Sequence, residues 1–396
     1  WYAFPMLHLQ SQEALHLILE SALLFFAQAK KSESPIGEKK LPSPAPPAER
    51  ERANRQTRQD KARPDQAHPA RPAPAYPAHP EPRPTRPMRD LILHHYPMSP
   101  YSEKIRAILG YKGLAWRSVD IPMMAPKPDL AALTGGYRKT PVLQVGRDVI
   151  LDTSLMVRVL ERLYPSPALI PEAHRMSCLA YAGYEQTLFY GAVATVFQPE
   201  GLKAMIARLG AEQMQAFSRD RQELFTGGSA RRPSPELYKT QFLPAANALN
   251  AQLAGRDFLL GEAPTLADFV CWHPIWFVRD NPGVAPLLAP LRNLMAWEQR
   301  MRALGHGYPS TIDAETALET ARGAESWLDF DGPLQEPNGL KIGERVLLRA
   351  SDYGCEPVEG LLLHASAYEV VLQRQDSRAG DLRVHAPRAG FSLSAA

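Results

Sequence analysis

Two hydroxyl residues frame the most chemically suggestive stretch of the chain, Ser99-Pro100-Tyr101-Ser102. A small hydroxyl residue ahead of a proline reads as a helix start, because the N–H that proline lacks has no intrahelical partner at that position. The free N–H groups and the dipole of such an end favour negative charge. A thiolate held there is stabilised, as cysteines at helix N-termini are. Ser99 is the first candidate to donate a hydrogen bond to an anion, with Ser102 and Tyr96 as alternates. Capping the helix is the other role open to Ser99.

Three further groupings stand out. Lys139-Thr140-Pro141-Val142-Leu143 places Thr-Pro ahead of an apolar run, which suits an ordinary strand start or a cis proline. Asp152-Thr153-Ser154 puts an acid and two hydroxyls at a second helix start, a natural carboxylate site as well as a cap. Thr265 and Asp268 have capping-box spacing, with aspartate in place of the usual Glu or Gln, and this points to fold stability rather than chemistry. His94 and His95 are adjacent on a strand, so one is expected in the core and the other in solvent. Trp272, Trp276 and Phe277 share a helical face and read as core, with the option of lining a cavity.

The elements that must position these residues follow from periodicity. Residues 91–95 form an apolar run that ends at a Tyr-Pro turn, and 102–112 carry a helical stripe closed by Gly113. Strands are expected at 116–121, 141–145 and 148–151, with a short proline-opened helix at 126–133 and another helix from 152 or 153 to about 164. That order is β-α-β-α-β-β-α. Residues 170–307 show successive helical periods and no strand alternation. Beyond 314, runs at 339–350, 358–366, 368–375 and 381–386 read as strands of a small antiparallel sheet or barrel.

Composition sets the outer bounds. A chain of 396 residues predicts two or three folded units. Fourteen of its 38 prolines crowd between Ser34 and Pro87, alongside a basic, arginine-rich run with few large apolar residues, so 1–87 is expected to be a disordered extension. Met88 is the expected natural start, which makes 1–87 a non-native or read-through segment. A net charge of +3 gives no case for nucleic acid or anionic membranes as partners. The apolar run at 15–27 is broken by Glu20 and is shorter than the roughly 20 residues a membrane span needs. Cys178, Cys271 and Cys355 lie far apart without metal-ligand spacing, so no metal is expected and a reducing cytoplasm suits them.

The run from Leu91 to Arg106, the Thr140-Pro141 pair, the Asp152–Ser154 group and the Thr265–Asp268 box occur in order across about 220 residues. Together they resemble the cytosolic glutathione transferases. The resemblance implies an α/β thioredoxin-like, glutathione-binding domain at 88–165, an all-α transferase C-terminal domain at 170–310, and a small β-rich domain appended at 338–396. It implies that glutathione is the co-substrate and a small electrophile the substrate, in a cytoplasmic homodimer engaged in detoxification. Ser99 is then the catalytic residue, and Lys139, Thr140, Pro141, Thr153 and Ser154 bind glutathione. The resemblance makes Pro141 cis and sets the Thr140 backbone against the cysteinyl part. The family's usual Glu-Ser pair is read as Thr153-Ser154, with Asp152 one residue early. Lowering a thiol pKa of about 8.5 by two units needs about 2.7 kcal/mol. A hydrogen bond to the anion supplies about 1.5–3 kcal/mol and the helix end about 1 more. The alternative is a non-catalytic binding or regulatory protein on the same fold, which the altered acid and the added β-region would suit.

Overall fold

The computed structural model describes residues 90–396 apart from 231, 232 and 326, so the expected extension at 1–87 lies outside the described residues. The first unit runs β1 (Leu91–His95), α1 (Pro100–Tyr111), β2 (Ala115–Asp120), α2 (Pro128–Thr134), β3 (Val142–Val145), β4 (Asp148–Ile150) and α3 (Thr153–Leu163). Strand β1 pairs parallel with β2 and antiparallel with β3, and β3 turns back on β4. This is the expected order, with β1 central. Leu91 and Leu93 face a core shared with α1 and α3, while Ile92 faces one shared with α2.

Covering both faces of β1 corrects the expectation for the two histidines. Both are buried, because a central strand of a covered sheet has no solvent side. His94 pairs with Gln144 Oε1 at 2.9 Å, and His95 with Ser118 Oγ and Arg106 at 2.9 Å each. Burial lowers the pKa of His94 to about 4. Burial, then Arg106, lowers that of His95 to about 3, so both are neutral structural groups near pH 7.

The second unit is helical: α4 (Arg175–Val196), α5 (Pro199–Leu209), α6 (Ala211–Leu224), α7 (Leu243–Gln252), α8 (Leu266–Arg279) and α9 (Arg292–Ala303). Helix α8 is its axis and is buried along almost its whole length, including Trp272 and Trp276. Its start is fixed by the Thr265–Asp268 capping box. The fully buried Asp268 carboxylate also accepts from Leu259 N at 2.8 Å and Trp297 Nε1 at 2.9 Å. The two units meet through a buried charge cluster. Glu185 Oε1 of α4 accepts from Lys104 Nζ of α1 at 2.5 Å and lies 2.7 Å from His273 Nε2 of α8. Burial would raise the Glu185 pKa, but Lys104 and His273 hold it down at about 2.

The C-terminal strands continue the first unit's sheet rather than standing apart. Strand β5 (Tyr308–Thr311) adds parallel to β2, and α10 (Ala314–Gly323) follows it. Then come β6 (Arg345–Ala350), β7 (Val358–Ala365), β8 (Glu369–Asp376), β9 (Gly380–Pro387) and β10 (Phe391–Ala395). They make an antiparallel array in which β9 pairs parallel with β4, with Val149 opposite Val384. One ten-stranded sheet results, in the order β10-β6-β7-β8-β9-β4-β3-β1-β2-β5. The array covers what would be the bare edge of β4. Its apolar side joins Ile92, Leu133 and Val149 in a common core with Leu348, Leu372 and Val384.

Candidate active site

Helix α1 starts where the sequence puts it, with Pro100 at its first position and Ser99 as N-cap in extended conformation. Ser99 Oγ accepts from Ser102 N at 3.2 Å, and Ser99 O accepts from Glu103 N at 3.0 Å. An accepting hydroxyl keeps its own proton for another partner. Ser99 lines a cavity of about 220 Å³ between the sheet unit and α4–α6. Tyr96 lines it too, whereas the Ser102 side chain is fully buried in α1, outside the cavity lining, and its Oγ has no partner among the described residues.

The cavity floor is polar and its walls are apolar. Thr140 and Lys139 line it, and the Thr140–Pro141 peptide is cis. Thr140 Oγ1 accepts from Lys127 Nζ at 2.9 Å. Lys139 turns its ammonium to Asp352 Oδ1 at 2.5 Å. Arg138 reaches Asp220 at 2.7 Å. Lys127 is therefore the lining cation whose bonded partner, among the described residues, is a neutral hydroxyl. Burial, then the charge of Arg221, lowers its pKa to about 8. Phe277 joins Phe189, Phe197 and Met205 in the apolar wall. Burial raises the Tyr101 pKa well above 10, so its phenol stays protonated beside Ser99.

The second helix start is at Asp152, the N-cap of α3. With φ 65° it is the one non-glycine residue in the left-handed region among the described residues. Such a conformation costs about 1–3 kcal/mol and persists where surrounding contacts hold it. Asp152 Oδ1 accepts from Ser154 N at 2.9 Å and from Ser154 Oγ at 2.7 Å. Thr153 is buried as the first residue of the helix, and Ser154 is exposed and turned back on the aspartate. The acid is thus at the helix end, one residue ahead of Thr153-Ser154. Among the described residues no cluster of three or more metal-ligand side chains occurs, and no helix is long and apolar enough to cross a membrane.

Sequence reasoning passed over Lys127 and Tyr353, both of which line the cavity. The signal for Lys127 was a lysine between two prolines ahead of a helix. Tyr353 carried none, since it lies 254 positions from Ser99 and reaches the cavity on a loop held by contacts distant in sequence.

Residues 93–168 match the family described as glutathione S-transferase, N-terminal domain, and residues 201–300 match glutathione S-transferase, C-terminal domain. No curated protein matches the chain. Among solved structures, a GST-like protein from Pseudomonas syringae is 39% identical with a TM-score of 0.64, covering 78% of this chain and 100% of that one. A glutathione S-transferase from Rhodospirillum rubrum is 17% identical, TM-score 0.41, covering 54% of this chain and 88% of that one. Another from Methylobacterium radiotolerans, in complex with glutathione sulfonate, is 21% identical, TM-score 0.39, covering 56% and 97%. The two domain matches and the likeness to the whole of the Pseudomonas syringae protein establish that the chain belongs to the glutathione S-transferase family.

Proposed function

We propose that the protein is a glutathione transferase in which Ser99 activates the thiol of glutathione for attack on an apolar electrophile. The observation that carries this reading is the Ser99 hydroxyl, set at the N-terminus of α1 with its proton uncommitted and lining a cavity with mainly apolar walls. Ser99 donates to the sulfur, and the helix end adds its field, so the thiolate forms near neutral pH. The thiolate sulfur bonds to the electrophilic carbon held against the apolar wall, and the leaving group departs with the displaced electron pair. The cis Thr140–Pro141 peptide supports a backbone contact from Thr140 to the cysteinyl part, with Lys139 and Pro141 flanking it. We read the pair for the γ-glutamyl end as Thr153 and Ser154 in the first turn of α3, with the Asp152 carboxylate beside them at the cap. Lys127 offers its ammonium to a carboxylate of the peptide.

The reading includes a homodimer, and the exposed apolar face of α4, with Met176, Leu179 and Tyr184, is the surface assigned to the second copy. It also includes a cytoplasmic, detoxifying role, which the three free cysteines suit. The test is glutathione binding by calorimetry together with turnover of Ser99→Ala. A charged hydrogen bond of about 1.5–3 kcal/mol predicts a kcat/KM about 10–100-fold lower near neutral pH, recovering as pH approaches the thiol's own pKa. Glutathione binding with no turnover in either protein would favour the non-catalytic alternative, and full activity in Ser99→Ala would remove Ser99 from the mechanism.

A further inference from the structure

The loop between β6 and β7 leaves the C-terminal sheet and lies across the end of α6. Its backbone is fixed there by three hydrogen bonds. Ser229 N donates to Ser351 O at 3.0 Å, Ala230 N to Asp352 O at 2.9 Å, and Gly354 N to Leu224 O at 2.7 Å. Gly228 permits this approach, since a β-carbon there would collide with the Asp352 carbonyl. Side chains repeat the fixing: Asp352 accepts from Lys139, and the Tyr353 ring stacks on Phe225 with centroids 4.9 Å apart and planes 16° from parallel. Lys139 Nζ lies 4.3 Å from the Tyr353 centroid. Tyr353 lines the same cavity as Ser99, alone among the described residues of 338–396.

We infer that Tyr353 is a specificity-determining residue, through which the C-terminal sheet forms part of the electrophile pocket and selects flat aromatic substrates. The inference rests on the transferase reading and adds the substrate class. A ring already held by Phe225 and the Lys139 ammonium loses little further freedom when a second aromatic group packs against it, and aromatic pairs favour offset-stacked or edge-on packing. Rings from α1, α4, α6 and α8 share that lining, namely Tyr101, Phe189, Phe217 and Phe277. Tyr353 closes the set from an element that the two transferase domains lack. Burial raises its pKa, so the ring stays neutral and suits apolar ligands.

The experiment uses the full chain with Tyr353→Ala, Tyr353→Phe and Gly228→Val, the last displacing the loop without touching the ring. Four quantities are read: glutathione affinity by calorimetry, KM and kcat for chlorodinitrobenzene, and affinity for the aromatic dye anilinonaphthalene sulfonate. Losing one aromatic wall predicts about a 5–10-fold rise in KM and in dye dissociation constant for Tyr353→Ala and Gly228→Val, with kcat and glutathione affinity within about twofold in Tyr353→Ala. Tyr353→Phe keeps the wild-type values. Unchanged KM and dye affinity in folded Tyr353→Ala would overturn the inference. If Tyr353→Ala does not fold, Gly228→Val decides by the same two readouts. A wild-type chain that binds dye but neither binds glutathione nor turns over would sink the transferase reading, and the dye comparison would still decide the wall.

Discussion

On the transferase reading, a single side chain, Lys127, sets a pH limit on the site. Burial and the neighbouring Arg221 take its pKa from 10.5 to about 8, and its bonded partner is the Thr140 hydroxyl. Below that pKa the ammonium attracts a ligand carboxylate, and above it the attraction is lost. In the proposed mechanism the thiol works in the opposite sense, since thiolate formation only increases as pH rises. Activity should therefore climb and then fall through the alkaline range. Using S-methylglutathione, whose sulfur cannot ionise, isolates the lysine. Affinity of the wild type should weaken as pH passes about 8, and Lys127→Met should bind about tenfold more weakly at neutral pH, without that additional decline. Identical pH profiles in the two proteins, measured by calorimetry, would take Lys127 out of the binding site.

At the scale of elements, α8 depends on one carboxylate. Asp268 is fully buried and takes bonds from Thr265 N, Thr265 Oγ1, Leu259 N and Trp297 Nε1, so it joins the start of α8 to the preceding loop and to α9. Asp268→Ala strands several buried donors at once and should cost about 3–5 kcal/mol of stability in urea unfolding, with Asp268→Asn recovering part of it. A loss below about 1 kcal/mol would mean that water or rearrangement satisfies those donors. The capping box was legible because its spacing is local, but Leu259 and Trp297 were not, since those contacts depend on how helices pack. The same division runs through the fold. Strand β1, the start of α1 and the start of α3 could be read from run length, Pro100 and Asp152, all short-range signals. The burial of both His94 and His95 defied strand alternation because two layers cover β1. Tyr353 was hidden for the same reason as Trp297, its partners Phe225 and Lys139 being distant in sequence.

Across the whole molecule, the added strands are bound to the first unit by a polar junction inside the sheet. Where β9 meets β4, His385 Nε2 lies 2.7 Å from Asp148 Oδ1 and its Nδ1 3.1 Å from Glu369 Oε2. Arg383 Nε donates to Asp148 at 2.8 Å, giving two carboxylates and two basic groups, all buried. Burial works against charge on His385, yet Asp148 and Glu369 outweigh it and raise the pKa above 6.5. Burial would raise the Glu369 pKa, but the His385 bond and charge and the Asp331 N–H hold it below 4.5. A raised histidine stabilises the fold fully below its unfolded pKa of 6.5 and loses that contribution as pH rises through the folded value. A depressed glutamate contributes above its unfolded 4.5 and loses the contribution as pH falls through its folded value. The junction is thus strongest between 4.5 and 6.5 and weakens on the alkaline side first. Because the sheet is continuous, that weakening should appear in the unfolding of the sheet unit as a whole rather than as early release of the C-terminal strands. In urea unfolding, the stability of the wild type relative to His385→Gln should fall as pH rises from about 6.5 to about 9; the comparison cancels His94 and His95, whose lowered pKa values act in the opposite sense. For the single His385 proton the steepest fall is about 1.4 kcal/mol per pH unit. His385→Gln, neutral throughout, should be less stable at the lower pH and lose this part of the slope. Equal slopes in the two proteins would mean that the His385 proton is held no more tightly in the folded chain than in the unfolded one.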